Sequence, residues 1–268
     1  MDQPNKLQPF RLPLTVDGVS LDIAGMCRNG SGAPLVFLHG FGSTKEDYAD
    51  VAQQAALSDR PVLAYDAPGC GATACADLAA LSVRFLVSVA TEVLRARGVG
   101  RFHLAGHSMG GLTGLLLAER YPNRVASFID IEGNLAPEDC FLSRQIITHP
   151  GTGPGDFLAR FADRVWRSSY YGSALYASSL PHKIRAEAVR PIFESMVELS
   201  DHGDLLTRFL ALPMPRMFMY GEQNAALTYL PTLAEHGIEL AEIPRCGHFP
   251  MYSNPPAMWS RVTQFLTR

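Results

Sequence analysis

Short apolar runs recur along the chain and set its architecture. Leu35-Val36-Phe37-Leu38, Pro61-Val62-Leu63-Ala64-Tyr65, Phe102-His103-Leu104-Ala105, Ser127-Phe128-Ile129-Asp130-Ile131 and Met217-Phe218-Met219-Tyr220 are nearly continuous in apolar character, as strands buried on both faces are. A last strand is predicted from Glu239 to Ile243. Ahead of them, Phe10 to Val16 and Val19 to Met26 flank Asp17-Gly18, a two-residue hairpin turn. Between runs the period becomes helical. From about Ser82 to Arg97, the residues Leu86, Val89, Ala90, Val93 and Leu94 share one helix face, and Gly98 stops the helix. Strands alternating with helices predict an α/β protein, with a doubly wound, mostly parallel sheet opened by an antiparallel hairpin.

The alternation breaks between Leu135 and Leu212. This stretch holds no convincing strand and several helix-like pieces, such as Phe157 to Trp166 and Ile184 to Leu199. Residues 1–134 and 213–268 therefore read as one core domain, and 135–212 as a helical cap over the C-terminal edge of the sheet, where open α/β sheets bind ligands. The cluster Pro150-Gly151-Thr152-Gly153-Pro154-Gly155 reads as a flexible loop, with a hinge for cap motion as the alternative. The final helix is predicted from Pro256 to Thr267.

Composition narrows the classes. With 268 residues, 47% hydrophobic and 18% charged, the chain can bury a substantial core and is neither disordered nor fibrous. Its 23 Lys+Arg against 26 Asp+Glu leave a net charge of −3 and no basic footprint for nucleic acid. Five scattered cysteines (Cys27, Cys70, Cys75, Cys140, Cys246) form neither a disulfide framework nor a zinc pattern. The opening Met1-Asp2-Gln3-Pro4-Asn5-Lys6 lacks an apolar signal core, and no apolar run approaches a membrane span. The expectation is a cytoplasmic protein with reduced thiols. No phosphate-cradling glycine motif or cluster of metal-ligand spacing is present, so no cofactor and no metal are expected.

Gly106-His107-Ser108-Met109-Gly110 carries the chemistry. This G-x-S-x-G follows a predicted strand and opens the apolar helix Leu112 to Tyr121, so Ser108 sits on a sharp turn beside free N–H groups at a helix start. Flanking glycines fit because a Cβ would clash there, and Gly111 and Gly114 let the helix pack close to the sheet. A serine hydroxyl needs a base. Of eight histidines, His248 is best placed, on the loop Arg245-Cys246-Gly247-His248-Phe249-Pro250 between the last strand and the last helix. His39 and His107 fit structural or loop roles, and His103 reads as a strand residue. His149, His182, His202 and His236 read as solvated.

Taken together, these motifs resemble the α/β-hydrolase fold superfamily over nearly all of the chain outside the insertion. His39-Gly40-Phe41-Gly42 resembles its oxyanion loop, Asp66-Ala67-Pro68-Gly69-Cys70-Gly71 its D-x-P-G-x-G turn, Gly106 to Gly110 its nucleophile elbow, and Gly247-His248 its histidine loop. The resemblance implies an oxyanion hole made by the backbone N–H groups of Phe41 and Met109. In many relatives an acid follows strand seven, but Gly221-Glu222-Gln223-Asn224 has an amide at that place. Haloalkane dehalogenases keep their acid after strand six, where this chain reads Asp130-Ile131-Glu132-Gly133-Asn134. Asp130 and Glu132 are expected to share a strand face, and depth at the sheet's C-terminal edge favours Glu132, with Asp130, Glu222 or no acid as alternatives.

A serine nucleophile suits acyl transfer and not the aspartate chemistry of dehalogenases. The expectation is a serine hydrolase of carboxylic esters, with thioesterase, lactonase or carbon–carbon bond hydrolase as alternatives, and a ligand receptor as a reading from another class. The cap aromatics Phe141, Phe157, Phe161, Trp166, Tyr170, Tyr171, Tyr176, Phe193 and Phe209 are expected either to roof an apolar pocket for a small-molecule ester or to pack the cap itself. Physiological substrate and oligomeric state stay open.

Overall fold

The computed structural model describes residues 6–149 and 153–268. Met1 to Asn5, and the part of the Pro/Gly cluster from Pro150 to Thr152, lie outside the described residues. The hairpin is formed by β1 (Gln8–Val16) and β2 (Val19–Arg28), with Val16 opposite Val19. Asp17 (φ 47°) and Gly18 (φ 83°) both take the left-handed conformation that a tight two-residue turn requires.

Beyond it run β3 (Leu35–Leu38), β4 (Val62–Tyr65), the short β5 (Ala74–Cys75), β6 (Phe102–His107), β7 (Val125–Ile131), β8 (Arg216–Gly221) and β9 (Glu239–Ile243). Their spatial order is β1-β2-β4-β3-β6-β7-β8-β9, with β5 paired to β2. All pairs from β4 to β9 along this order are parallel, and β2 joins antiparallel at one side. This is the doubly wound, hairpin-opened sheet that the alternation predicts. The chain runs from β3 to β4 on one side, then returns to place β6 on the other. The order therefore reverses at β3, and the loops after β3 and β6 border one crevice.

Helices cover both faces. Helix α1 (Val83–Ala96) buries Leu86, Val89, Ala90, Val93 and Leu94, and Ser82 caps it by accepting a hydrogen bond from the Phe85 amide at 3.1 Å. Helix α2 (Met109–Arg120) starts directly after Ser108 and is buried almost all round.

The insertion between β7 and β8 carries α3 (Pro154–Trp166), α4 (Ser173–Lys183), α5 (Val189–His202) and α6 (Leu205–Ala211). The expected helix from Ile184 is corrected: α4 ends at Lys183, and Ile184 is extended and bridges Cys70. The Gly71 amide donates to the Lys183 carbonyl (2.8 Å) and the Arg185 amide to the Gly69 carbonyl (2.9 Å), which pins the cap to the core there. Beside it, Lys183 Nζ donates to Asp47 (3.2 Å) and to Tyr252 Oη (3.0 Å). Short helices α7 (Leu230–Glu235) and α8 (Pro250–Ser253) precede the closing α9 (Pro255–Leu266). Among the described residues no helix is long and apolar enough to cross a membrane. All five thiols are free.

Candidate active site

Steric necessity explains the elbow. A Cβ on Gly106 would lie 2.3 Å from the Gly110 carbonyl oxygen, and one on Gly110 would lie 2.1 Å from the Leu38 carbonyl oxygen. Between them Ser108 has φ 51° and ψ −117°, a conformation costing an L-residue about 1–3 kcal/mol. It is held because its amide donates to the Ile131 carbonyl and its carbonyl accepts from the Leu112 amide, both at 2.9 Å. The Met109 amide starts α2 and the Phe41 amide lies in the loop after β3. Neither donates a hydrogen bond among the described residues.

Two buried groups brace the loop after β3. The Ala67 amide donates to His39 Nε2 at 2.8 Å, so His39 Nδ1 carries the proton and donates to the Gly40 carbonyl at 2.7 Å. Burial holds His39 below the usual histidine range. Asp66 accepts from the Lys45 amide, Lys45 Nζ and the Ala72 amide, each at 2.9 Å, which fixes the D-x-P-G-x-G turn. From the cap, Tyr176 Oη donates to the Phe41 carbonyl at 3.0 Å.

Glu132 is the first residue past β7, at φ 52°. Its Oε1 accepts from the Gly221 amide at 2.6 Å, and its Oε2 accepts from Asn224 Nδ2 at 2.7 Å and from His248 Nδ1 at 3.3 Å. The expectation that Glu132 is a strand residue is corrected here. The strand ends at Ile131, and Glu132, with a left-handed backbone, has its carboxylate at the Gly221 amide that ends β8. Asp130 remains in the sheet, fully buried, with neither carboxyl oxygen in a hydrogen bond of good geometry. Burial pushes its pKa well above the usual carboxylate range. Glu222 opens the turn Glu222–Asn224 and makes no hydrogen bond to His248. Asn224, the amide standing where many relatives carry an acid, is a donor to Glu132.

His248 is 7% exposed. Its carbonyl accepts from His107 Nε2 at 2.8 Å, so His107 Nδ1 is the bare acceptor and has no hydrogen-bond partner among the described residues. Burial drives the His107 pKa well below the usual histidine value, so this imidazole stays neutral beside His248, 5.0 Å between ring centroids. The His248 ring also meets the edges of Phe141 and Phe249 at 5.2 and 5.0 Å.

Ser108 and His248 face one cavity without a direct hydrogen bond between them, a common looseness in ligand-free sites. The cavity holds about 20 Å³, room for roughly one water. Asp139 also lines it and was not legible in the sequence. Its carboxylate accepts from the amides of Leu135 (2.7 Å) and Ala136 (2.8 Å) and from Tyr229 Oη (2.9 Å), and burial pushes its pKa up to about 6. The one available signal was an acid two residues after Pro137, as at a helix start.

The pocket-roof expectation for the aromatics holds only in part. Phe141, Tyr176 and Phe193 border the cavity at Ser108, and Tyr170 borders a neighbouring one. Phe157 and Phe161 instead pack inside the cap against Phe193, and Phe209 packs on Phe128 of β7. Trp166 and Tyr171 point outward, 55% and 47% exposed.

Known proteins agree with this architecture. The chain is 25% identical over 248 residues to the 2-succinyl-6-hydroxy-2,4-cyclohexadiene-1-carboxylate synthase of Yersinia pseudotuberculosis serotype O:1b, covering 89% of each. Among solved structures it is similar to a carboxylesterase of the ammonia-oxidizing Thaumarchaeon Nitrososphaera gargenis (TM-score 0.76, 18% identity, 95% of this chain and 97% of that one). It is also similar to the N-acyl homoserine lactonase AidH (TM-score 0.74, 19% identity, 97% and 96%). Residues 35–261 match the description "Alpha/beta hydrolase family", a span that contains β3 to β9, the elbow, Glu132 and the histidine loop. On that match, the chain belongs to the alpha/beta hydrolase family.

Proposed function

We propose that this chain is a serine hydrolase of carboxylic esters that works through an acyl-enzyme on Ser108, with His248 as base, Glu132 as the acid that orients it, and the Phe41 and Met109 amides as oxyanion donors. One observation carries the reading. Ser108 sits on a strained turn next to the Met109 amide, which has no hydrogen-bond acceptor among the described residues, and in a cavity also lined by Phe41 and by an imidazole whose Nδ1 is bonded to a buried carboxylate.

In this mechanism His248 Nε2 takes the Ser108 proton as Oγ attacks the ester carbonyl. The oxyanion accepts from Phe41 and Met109, each donor contributing about 3–4 kcal/mol. Collapse expels the alkoxide, which takes the proton from Nε2. Water then attacks the acyl-enzyme, gives its proton to His248, and releases the acid as Ser108 regains a proton. Glu132 keeps the proton of the resting ring on Nδ1 and stabilises the imidazolium. Protein groups and water suffice for every step.

The Yersinia relative's name describes a carboxylate product. The cavity at Ser108 has no Lys or Arg in its lining, and Arg164 lines only the adjoining cavity with its Nε donated to Gln145, so a carboxylate held beside Ser108 would find no counter-ion there. Ester cleavage is the better-supported reading.

A fluorophosphonate should label wild-type protein at the Ser108 peptide, read by mass spectrometry, and should not label Ser108→Ala. Labelling that survives the substitution overturns the assignment. Turnover through many cycles is expected of the enzyme, whereas a receptor would stop after one and retain its ligand.

A further inference from the structure

We propose that the site is divided into a tight acyl side and a roomy leaving-group side, so that it takes esters of short, uncharged acids with bulky alcohols. This rests on the reading of Ser108 as nucleophile and His248 as base.

Chemistry fixes the direction. The proton on His248 must reach the departing oxygen, so the alcohol leaves on the His248 side, while the acyl group stays on Ser108 with its oxygen at Phe41 and Met109. The structure makes these two sides unequal. Around Ser108 the space is about 20 Å³, and the walls it does not share with the second cavity include Phe41, Tyr176, Phe193 and Met196, each no more than 5% exposed. Those walls brace one another. The Phe41 and Phe193 rings lie 4.3 Å apart, Tyr176 stacks on Phe249 at 4.3 Å and bonds the Phe41 carbonyl, and Phe193 is backed by Phe157 and Phe161. Retreat of any wall would disturb the packing of the cap.

Adjoining that space at His248 lies a second cavity of about 180 Å³. It shares Phe141, Leu142, His248 and Phe249 with the first, but Ser108 does not line it. Its outer walls, Phe141 and Tyr170, are 47% and 45% exposed, and Gln145, Ser168, Ser173 and Arg164, whose Nε donates to Gln145 at 2.7 Å, give it polar groups. Charge adds a second restriction. The acyl cavity holds the Asp139 carboxylate and no cationic side chain of Lys or Arg, so an acyl group ending in a carboxylate is repelled.

Two ester series test this. Phenyl acetate, butyrate and octanoate vary the acyl group. Acetates of phenol, 2-naphthol and 4-phenylphenol vary the leaving group at similar acidity. From acetate to octanoate, kcat/KM should fall roughly 10- to 100-fold, the range expected when methylenes are forced into a filled space. The larger aryl acetates should match or exceed phenyl acetate, and phenyl hemisuccinate should be slower than phenyl butyrate. Phe193→Ala should raise the octanoate-to-acetate ratio about tenfold, and Met196→Ala gives the same readout should the first variant fail to fold. Gln145→Trp, filling the second cavity, should lower the biphenyl-to-phenyl acetate ratio. Octanoate cleaved as well as acetate, or a tenfold penalty on the biphenyl acetate, overturns the division. Failure of every ester and of a fluorophosphonate to modify Ser108 overturns the nucleophile reading instead, which separates the two failures.

Discussion

Glu132→Gln probes the site most informatively, because the structure says how an amide would be received. The carboxylate accepts three hydrogen bonds, one at Oε1 from the Gly221 amide and two at Oε2 from Asn224 and His248. Gln has one oxygen. The Gly221 bond is the shortest of the three and comes from fixed backbone, so the glutamine oxygen goes there and its NH2 faces Asn224 and His248. Asn224 can rotate its own oxygen toward that NH2. His248 can then only accept at Nδ1, which moves its proton to Nε2, the nitrogen that must take the proton from Ser108. Loss of an acid by amide substitution in other triads costs on the order of 10⁴ in kcat, and we expect roughly 10²–10⁴ here, or about 3–5 kcal/mol of transition-state stabilisation. The assay is kcat on phenyl acetate with a thermal melt alongside, since the variant keeps the shape of the side chain and should unfold within a few degrees of wild type. A folded Glu132→Gln with kcat within threefold of wild type would refute the tautomer account. Asn224→Asp in the Glu132→Gln background should restore part of the loss at most, because Asn224 bonds Glu132 rather than His248.

Four further outcomes follow from neighbouring groups. Asp130→Asn should keep kcat within a few-fold, because burial already favours the protonated Asp130 carboxyl and neither of its oxygens joins the His248 network; a loss matching Glu132→Gln would reverse the two roles. Asp139, with its pKa raised from 3.8 to about 6, binds a proton more tightly folded than unfolded, so its contribution to stability falls as pH rises through about 4 to 6. Chemical denaturation at pH 4 and pH 7 should show wild type losing roughly 2 kcal/mol relative to Asp139→Asn, and parallel curves would contradict this. His107→Leu should lower kcat by roughly five- to a hundredfold with little change in KM, as the His248 carbonyl loses its buried donor, and His107→Gln, which can donate in its place, should recover most of it. Trp166→Ala should leave the acyl-chain profile as it is, since Trp166 faces outward, and a shifted profile would place it at the pocket.

The parts of the site legible in the sequence are those imposed by local sterics. Gly106 and Gly110 cannot bear a Cβ without striking Gly110 and Leu38 backbone oxygens, so the turn around Ser108 is written into five consecutive residues. His248 is legible from order alone, after the last strand. Glu132 is legible by depth, although the period of two does not reach it: it lies one residue past β7 with a left-handed φ that no alternation carries. Long-range partners are not legible. Asn224 looks like a missing acid until the carboxylate it serves, 92 residues earlier, is placed beside it, and Asp139 meets Tyr229 across 90 residues. Within the cap, α4 escapes detection because Ser173-Ala174-Leu175-Tyr176-Ala177-Ser178-Ser179 is too polar and small to show a stripe and Pro181 sits in its last turn. The neighbouring Ile184 looks helical but is held extended by tertiary bonds flanking it at Lys183 and Arg185. The aromatics divide between pocket, cap interior and surface according to helix orientation, which composition does not carry.

The central claim is a covalent acyl-enzyme on Ser108. Wild-type protein mixed with 4-nitrophenyl acetate, quenched in acid within milliseconds and digested, should show an acetyl increment on the Ser108 peptide that forms with the first equivalent of nitrophenol and decays at the steady-state rate, and Ser108→Ala should show neither increment nor turnover. Nitrophenol release at the wild-type rate with no acetyl on that peptide, or from Ser108→Ala, would contradict it.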